Sequence, residues 1–484
     1  MLFTELRFLP FVLVALALHW ALRGNGPRKV WLLIVSYAFY AAWDWRFLSL
    51  IVASTLIDYG VGMGLARTQA SSARRVLLGI SLTANLGLLA VFKYLGFFVE
   101  SAVELANAFG ASLSQPTLEI VLPVGISFYT FQTLSYSVDV YRGRRAAEEH
   151  LGIFALYVSF FPQLVAGPIE RSTRLLPQLH ETFSFDAVRV RNGLALMGFG
   201  FFKKCVVADR CAIYADRIFH APGTEYDGFA SLLGTYFFQW QLYCDFSGYS
   251  DIAIGAAAVL GYDLMTNFRR PFLAVSILDF WNRWHVSLTT WLRDYVYFPL
   301  TGRHQSNARR LFNALLVFGL SGLWHGATWN CVLWGLVNGV FLVVGLATAR
   351  AQDRFFRATR LQRVPGLRRT LDVVLTFHLG TIGLMFFRTS TLSDYLAHVR
   401  SIFTPSGAFW NVLGPLDAYE LGLALVSIGA LFSIQLLQEK HDSTLVQELG
   451  GKPRWFRWPV YYAFVFAILA FGQFGATPFF YFQF

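Results

Sequence analysis

Long apolar stretches recur along the whole chain, and they constrain its fold more than any other feature. Several approach or exceed the roughly 20 residues that a helix needs to cross a bilayer. The stretches are Phe8–Leu22, Val30–Leu48, Leu50–Ala66, Val76–Val99, Ile120–Val140, Phe229–Leu260, Leu311–His325, Thr328–Ala347, Leu371–Phe387, Leu421–Leu437 and Val460–Gly475. Between them lie half-buried or amphipathic pieces at Gly152–Pro168, Val188–Ala208 and Leu278–Leu300. The pattern predicts an all-α, polytopic integral membrane protein with roughly 11 to 13 transmembrane or re-entrant helices.

The composition excludes an ordinary soluble protein. Of the 484 residues, 55% are hydrophobic and only 14% are charged, whereas about 25% are charged in a typical globular chain. The net charge is +11, but the basic residues form short clusters between apolar runs. That placement indicates membrane topology rather than nucleic-acid binding. The 4 cysteines are too few for a disulfide scaffold and lack zinc-site spacing, so we predict no metal site.

The basic clusters also predict the orientation of the chain. They follow the first, third and fifth apolar runs, whereas the intervening segment Glu100–Glu119 contains three Glu and no Lys or Arg. By the positive-inside rule the clusters face the cytoplasm, so both termini are expected on the outer face. The first run lacks a cleavage site at its end and is expected to be retained. Without a long soluble segment or linker, residues 1–484 are expected to form a single membrane domain.

One histidine, His325, ends an apolar run and is flanked by Trp324 and by Gly322 and Gly326. A helix from Leu311 to His325 rises about 22 Å, which would place the imidazole deep in the membrane. Ionisable groups at such depth are costly and therefore mark functional sites. A neutral imidazole accepts a proton as a general base does. The alternative is a structural histidine that is hydrogen-bonded between helices.

A second histidine, His285, lies in an aromatic segment that also carries Arg293 and Asp294. If the segment is one helix, Trp281 and His285 share a face and Asn282 lies one turn before His285. The segment is too polar to face lipid, so we predict that it lines a cavity or lies at the membrane interface. An interfacial aromatic helix without chemistry is the alternative.

Further polar residues interrupt apolar sequence elsewhere. Gln241 and Asp245 lie in the apolar run Phe237–Asp251 and suggest a wall that contacts substrate, although an interhelical polar network would have the same pattern. The proline- and glycine-containing segment Phe160–Arg171 predicts a broken or re-entrant element.

The sequence contains no phosphate-binding Walker loop, no dinucleotide fingerprint, no Gly-x-Ser-x-Gly and no His-Glu-x-x-His. ATP hydrolysis, nicotinamide chemistry and zinc proteolysis are therefore unsupported.

Two sequence blocks carry a specific resemblance. They are Trp281-x-x-Trp284-His285-x-Ser287-Leu288-x-x-Trp291-Leu292-Arg293-Asp294-Tyr295 and Gly322-Leu323-Trp324-His325-Gly326-Ala327-x-Trp329. In their order and spacing the chain resembles the membrane-bound O-acyltransferase family, in particular its bacterial alginate O-acetyltransferase branch. The resemblance covers most of the chain and implies a helical fold with a funnel or tunnel. It also implies that the catalytic core spans about residues 120–350.

The resemblance further implies residue roles and partners. His325 matches the family's catalytic histidine and would be the general base, and His285 matches its partner position. Asn282, Trp324, Arg293 and Asp294, which lie in these two blocks, are expected to bind the donor or substrate. Gln241 and Asp245 are expected to do the same on the separate ground that they are polar within apolar sequence. The expected donor is acetyl-CoA, with no permanently bound cofactor. The expected partners are an extracytoplasmic polysaccharide such as alginate, an outer SGNH-type acetyltransferase and membrane lipid, in a bacterial inner membrane.

The aromatic tail at residues 477–484 suggests a further role. Tyr481 could take the acyl group transiently and present it to an outer partner, because phenolate, with a pKa of about 10, is a good leaving group. An aromatic anchor at the membrane interface is the alternative.

Two other functions stay open at this point. They are transfer of D-alanyl or another acyl group from a carrier protein, and a transporter that uses the two histidines as a proton relay.

Overall fold

The computed structural model describes residues 1, 3–114, 120–165, 167–220, 228–302, 305–404, 418–474 and 479–480. Within these ranges every regular element is helical, which confirms the predicted all-α class. The α-helices are α1 Phe8–Ala21, α2 Asn25–Asp44, α3 Leu48–Arg67, α4 Ser71–Leu89, α5 Leu95–Ala108, α6 Ile126–Tyr141, α7 Leu151–Ser159, α8 Phe161–Leu164, α9 Ser172–His180, α10 Ala187–Phe201, α11 Asp209–His220, α12 Gly228–Val259, α13 Ile277–Arg283, α14 Val286–Leu292, α15 Phe298–Thr301, α16 Asn307–His325, α17 Trp329–Ala358, α18 Pro365–Leu384, α19 Leu392–Phe403, α20 Ala418–His441, α21 Leu445–Gly450 and α22 Arg454–Phe471.

Several of these helices are long and apolar enough to cross a membrane. Among the described residues they form five stretches: Asn25–Arg67, Ser71–Ala108, Trp329–Ala358, Pro365–Phe387 and Ala418–His441. A shorter apolar helix, α1, precedes them. The stretches coincide with apolar runs of the sequence because burial in lipid selects both length and hydrophobicity. The chain is a multi-pass membrane protein.

The chain divides into two compact units, and the first comprises residues 1–194 and 253–265. Its helices α3, α4 and α6 are joined around Asp58, whose side chain is fully buried. The Asp58 carboxylate accepts hydrogen bonds from Ser81 at 2.5 Å, Ser137 at 2.6 Å and Asn85 at 2.7 Å. A buried carboxylate needs such donors to offset its lost hydration. The network therefore fixes the register of the three helices.

The predicted break near Phe160 is present in the first unit. Helix α7 ends at Ser159, and α8 begins at Phe161 after the non-helical residue Phe160. The end of α8 packs against the start of α6, where Gly125 has a φ of +76°. A Cβ atom at Gly125 would lie 2.6 Å from the carbonyl oxygen of Leu164. Glycine is required there by both the backbone conformation and the close approach.

The second unit, residues 195–252 and 266–484, contains a tightly packed hairpin of α16 and α17. A Cβ atom at Gly322 would lie 2.2 Å from the carbonyl oxygen of Cys331, and one at Gly335 would lie 2.1 Å from that of Phe318. The two backbones are therefore in direct contact. The turn is fixed by Thr328, whose hydroxyl accepts the Cys331 amide proton at 3.2 Å. This N-cap starts α17 immediately after His325 and the turn.

An ion-pair cluster centred on Glu439 of α20 holds α13 in the second unit. The Glu439 carboxylate binds Arg270 at 2.7 Å, Arg283 at 2.9 Å and Arg369 at 2.8 Å. Arg283 also binds Asp279 at 2.8 Å, one turn earlier in α13. Because several guanidinium groups share one carboxylate, the cluster fixes the end of α13, which precedes His285 in sequence.

Candidate active site

His325 is the last residue of α16 and is buried, with 4% of its surface exposed. Aromatic rings surround its imidazole. The ring centroid of Trp334 lies 4.7 Å away, that of Trp324 4.9 Å and that of Phe387 5.5 Å. Gly322 allows α17 to approach and bring Trp334 to this position. The hairpin therefore sets the orientation of the imidazole and shields it from solvent.

His285 is also buried, and it lies between α13 and α14 rather than within one helix. Its backbone is left-handed, with φ 44° and ψ 51°. Residues with a Cβ atom seldom adopt this conformation, and strain of this kind concentrates at functional sites. The expectation of a continuous helix through His285 was therefore wrong. The helix is interrupted because the backbone after His285 is bound by Asn267. The backbone carbonyl oxygen of Asn267 accepts the Val286 amide proton at 2.9 Å.

The Asn267 side chain orients the His285 imidazole. Its Oδ1 atom accepts the Ser287 amide proton at 3.2 Å and lies 3.2 Å from His285 Nδ1, while its Nδ2 atom donates to Ser250 at 3.1 Å. Since Oδ1 is an acceptor in this arrangement, a neutral His285 carries its proton on Nδ1. The basic nitrogen is then Nε2.

The two histidines line one cavity of about 250 Å³. Their ring centroids are 6.2 Å apart. The walls are mostly apolar, with a few polar groups that converge on the space. The lining residues are Leu278, Trp281, Asn282, His285, Leu288, Thr289, Leu292, Arg293, Tyr297, Ala314, Val317, Phe318, Ser321, His325, Leu342 and Leu346. An apolar cavity with two imidazoles and few other polar groups is typical of an enzyme site that moves a proton.

The other residues singled out from the sequence lie in different places. Asn282 and Arg293 line the cavity, and Trp324 is buried beside it with its ring 5.9 Å from that of His285. Of the described residues, Asp294, Gln241 and Asp245 do not line the cavity. Asp294 binds Arg293 at 2.8 Å, and Gln241 is buried on α12.

Asp245, also on α12, binds Lys204 at 2.8 Å. Its carboxylate therefore has a partner away from the cavity lining. Tyr481 lies outside the described residues.

The sequence analysis missed Asn267, Trp334 and Phe387. Asn267 lies in an irregular segment between α12 and α13, where no periodic pattern marks a side chain as functional. Trp334 follows the His325 block in an apolar helix, where the pattern predicts only that an aromatic residue packs in the hydrophobic core. Phe387 lies in a single 3₁₀ turn after α18. Only tertiary packing brings the three residues to the histidines.

Replacing Asn267 with alanine is expected to lower the free energy of unfolding by about 1–3 kcal/mol, because buried donors lose their acceptor. It is also expected to slow catalysis, since His285 loses the group that selects its tautomer. Thermal unfolding in detergent and the rate of the donor cleavage that the family resemblance implies measure the two effects. Asn307→Ala, at an exposed residue that begins α16, is the control. Equal stability and equal rates for the two variants would refute this role for Asn267.

Comparison with known proteins identifies the family. A profile of MBOAT, the membrane-bound O-acyltransferase family, matches residues 86–387. The protein named "Probable alginate O-acetylase AlgI" of Pseudomonas aeruginosa is 39% identical over 388 residues, which are 79% of this chain and 71% of that protein. The peptidoglycan O-acetyltransferase of Helicobacter pylori is 33% identical over 406 residues, which are 78% of this chain and 74% of that protein. The teichoic acid D-alanyltransferase of Bacillus subtilis is 28% identical over 286 residues, which are 56% of this chain and 70% of that protein. The chain belongs to the membrane-bound O-acyltransferase family and is an O-acyltransferase.

Proposed function

We propose that the protein transfers an acetyl group from cytoplasmic acetyl-CoA to hydroxyl groups of an extracytoplasmic polysaccharide such as alginate. The observation that carries the proposal is the single cavity lined by His285 and His325. The names of an alginate O-acetylase and a peptidoglycan O-acetyltransferase among its relatives support an acetyl donor and a polysaccharide acceptor. A bacterial inner membrane with both termini on the periplasmic side is part of this proposal. It agrees with the basic clusters of the sequence.

In the proposed reaction His325 is the general base. It removes the proton of the attacking hydroxyl as that oxygen bonds to the thioester carbonyl carbon. The carbon–sulfur bond then breaks, and the proton passes from His325 to the leaving thiolate. The aromatic rings around His325 support this role because they exclude water that would hydrolyse the thioester.

The other cavity residues orient the reactants. A hydrogen-bond donor beside the thioester stabilises the negative charge that develops on its oxygen, and Asn282 carries such a donor. Arg293 supplies a positive charge for a phosphorylated donor, and Asp294 fixes that guanidinium through their ion pair of 2.8 Å. His285, fixed by Asn267, is the second imidazole that contacts the reactants.

Tyr481 is proposed as the first acceptor of the acetyl group. Its phenol oxygen attacks the thioester, loses its proton to His325 and becomes a tyrosyl ester with release of CoA. The ester then passes its acetyl group to an outer partner, proposed to be an SGNH-type transferase, and the phenol is regenerated. Removal of this nucleophile without loss of the aromatic ring tests the step.

The experiment for the proposed function compares donors on the purified protein in nanodiscs. Acetyl-CoA, an acetylated carrier protein and a D-alanylated carrier protein are supplied in turn, and the release of free thiol is followed. Thiol release from acetyl-CoA is the expected result. Release from a carrier protein alone would instead favour the activity named for the teichoic acid D-alanyltransferase relative. If none of these donors is cleaved, even with outer partners added, the proposed acetyl-CoA donor is refuted.

The variant Tyr481→Phe is expected to lower acetyl-CoA cleavage and labelling of the C-terminal peptide by at least about 100-fold, because the nucleophile is lost. Radiolabelled acetyl-CoA and peptide mapping measure both effects. Tyr462→Phe is the matched control, since Tyr462 is an exposed tyrosine of α22. Full labelling of the Tyr481→Phe protein would refute the covalent step and leave direct transfer.

A further inference from the structure

Two residues near the end of the sequence, Phe479 and Phe480, are buried in the second unit. They are 0% and 3% exposed. The Phe479 ring packs on Tyr249 at 4.5 Å, and the Phe480 ring packs on Phe238 at 5.4 Å. Both partners belong to α12. These two residues are part of the protein core and do not form an aromatic belt on its surface.

The backbone of Phe480 is held by a buried charge. Its amide proton is donated to Asp245 Oδ2 at 2.7 Å. The other carboxylate oxygen of Asp245 lies 2.8 Å from Lys204 Nζ, and Lys204 also binds Asp209 at 2.6 Å. Two carboxylates thus share one ammonium group in a buried cluster. A carboxylate in such surroundings needs additional donors, and the Phe480 amide supplies one.

The same part of the fold holds the segment that precedes Phe479. The Gln473 amide proton is donated to the carbonyl oxygen of Cys205 at 2.9 Å. Arg210 donates to the carbonyl oxygen of Phe471 at 2.6 Å. Cys205 lies in the π-helical turn Phe202–Ala208, which also contains Lys204. A π-turn leaves backbone groups without their ordinary helical partners and is frequent at functional sites. We call residues 204–210 together with Asp245 the tail platform.

Phe479, which precedes the residue held by the tail platform, lies close to the histidine cavity. The Phe479 ring is 5.6 Å from that of Phe246, and the Phe246 ring is 4.6 Å from that of His285, nearly perpendicular to it at 83°. Only one aromatic ring therefore separates Phe479 from His285 along this series of contacts. The anchor at Phe480 directly precedes Tyr481 in the sequence.

We propose that Asp245 is a positioning residue that anchors the C-terminal segment beside the histidine cavity. This inference rests on the proposed function only in that the reaction is taken to use the C-terminal segment. It assigns Asp245 a role different from the donor binding expected from its sequence context. Lys204 holds the carboxylate, and the carboxylate holds the Phe480 amide, so that Phe479 and Phe480 stay beside the cavity.

The neighbouring Asp209 provides a matched comparison. Asp245→Ala and Asp209→Ala each remove one carboxylate from Lys204, and Asp245 is the one whose Oδ2 atom accepts the Phe480 amide proton. A merely structural ion cluster would respond to both substitutions alike. A positioning role for Asp245 requires that only Asp245→Ala releases the segment.

The test measures amide hydrogen exchange of C-terminal peptides on the full-length protein in nanodiscs, together with kcat and KM for acetyl-CoA cleavage. In Asp245→Ala, exchange at Phe480 is expected to accelerate by roughly tenfold or more, since a buried hydrogen bond to a carboxylate is lost. The kcat is expected to fall by about tenfold or more while KM changes by less than about twofold. Asp209→Ala is expected to retain slow exchange at Phe480.

A second variant covers the case in which Asp245→Ala does not fold. Phe480→Ala removes the tail's own buried ring without disturbing the ion cluster, and the same loss of protection and of kcat is expected. Unchanged exchange in both Asp245→Ala and Phe480→Ala would overturn the anchor. Equal release by Asp209→Ala, or a released segment with normal kcat, would overturn the positioning role. If the wild-type protein cleaves no donor but exchange still responds to Asp245→Ala, the proposed function fails and the anchor stands.

Discussion

Replacing His325 with alanine is expected to slow cleavage of acetyl-CoA by about 10²–10⁴-fold, the usual contribution of a general base. The variant retains the cavity walls and Arg293, so binding of the donor is expected to persist. Free thiol release measures the chemical step, and equilibrium binding of a non-cleavable acetyl-CoA thioether measures affinity. A large fall in rate with little change in affinity separates a catalytic histidine from a structural one.

His325 also packs against Trp334, so its removal needs a folding control. His325→Asn keeps much of the side-chain volume but provides no basic nitrogen, and it is expected to be as inactive as the alanine variant. His220→Ala removes an exposed histidine at the end of α11 and is expected to be fully active. A well-folded His325→Asn protein with wild-type cleavage would exclude His325 as the base.

Gly335→Ala is expected to disrupt the hairpin of α16 and α17. The added Cβ atom would lie 2.1 Å from the carbonyl oxygen of Phe318, and a backbone atom cannot move aside as a side chain can. Overpacking of this kind costs about 1–3 kcal/mol and shifts the backbone. Because His325 ends α16, the variant is expected to lose both thermal stability and donor cleavage.

The same helix supplies the control for this prediction. Gly345 also lies in α17, but a Cβ atom there would meet nothing within 4 Å. Gly345→Ala is expected to be neutral or slightly stabilising, since alanine is the better helix former. Similar unfolding temperatures for Gly335→Ala and Gly345→Ala would show that the close approach is not needed.

The sequence predicted the helices well where lipid or core burial selects long apolar runs. The run Phe229–Leu260 became α12, Gly228–Val259, and the run ending at His325 became α16, which ends at the same residue. The break at His285 was not predictable from local pattern. Its cause is Asn267, which is 18 residues away in sequence and has no periodic context of its own.

The candidate site was predicted in part. His285 and His325 line one cavity with Asn282 and Arg293, each of which lies in one of the two resembling blocks. Asp245 was chosen only because it is polar within apolar sequence. That criterion does not distinguish a substrate contact from an ion pair, and here Asp245 is paired with Lys204. The lysine itself lies in another apolar stretch, so the sequence gives no sign that the two meet.

The backbone contact between α16 and α17 restricts which motions the second unit can make. A slide of one helix past the other by a single turn, about 5.4 Å, would push side chains into the space that only glycine leaves open. Gly322 and Gly335 therefore make the hairpin a rigid body during any opening of the cavity. His325 and Trp334 therefore move together, and any change in the width of the cavity has to come from its other walls, which include α13 and α14 around His285.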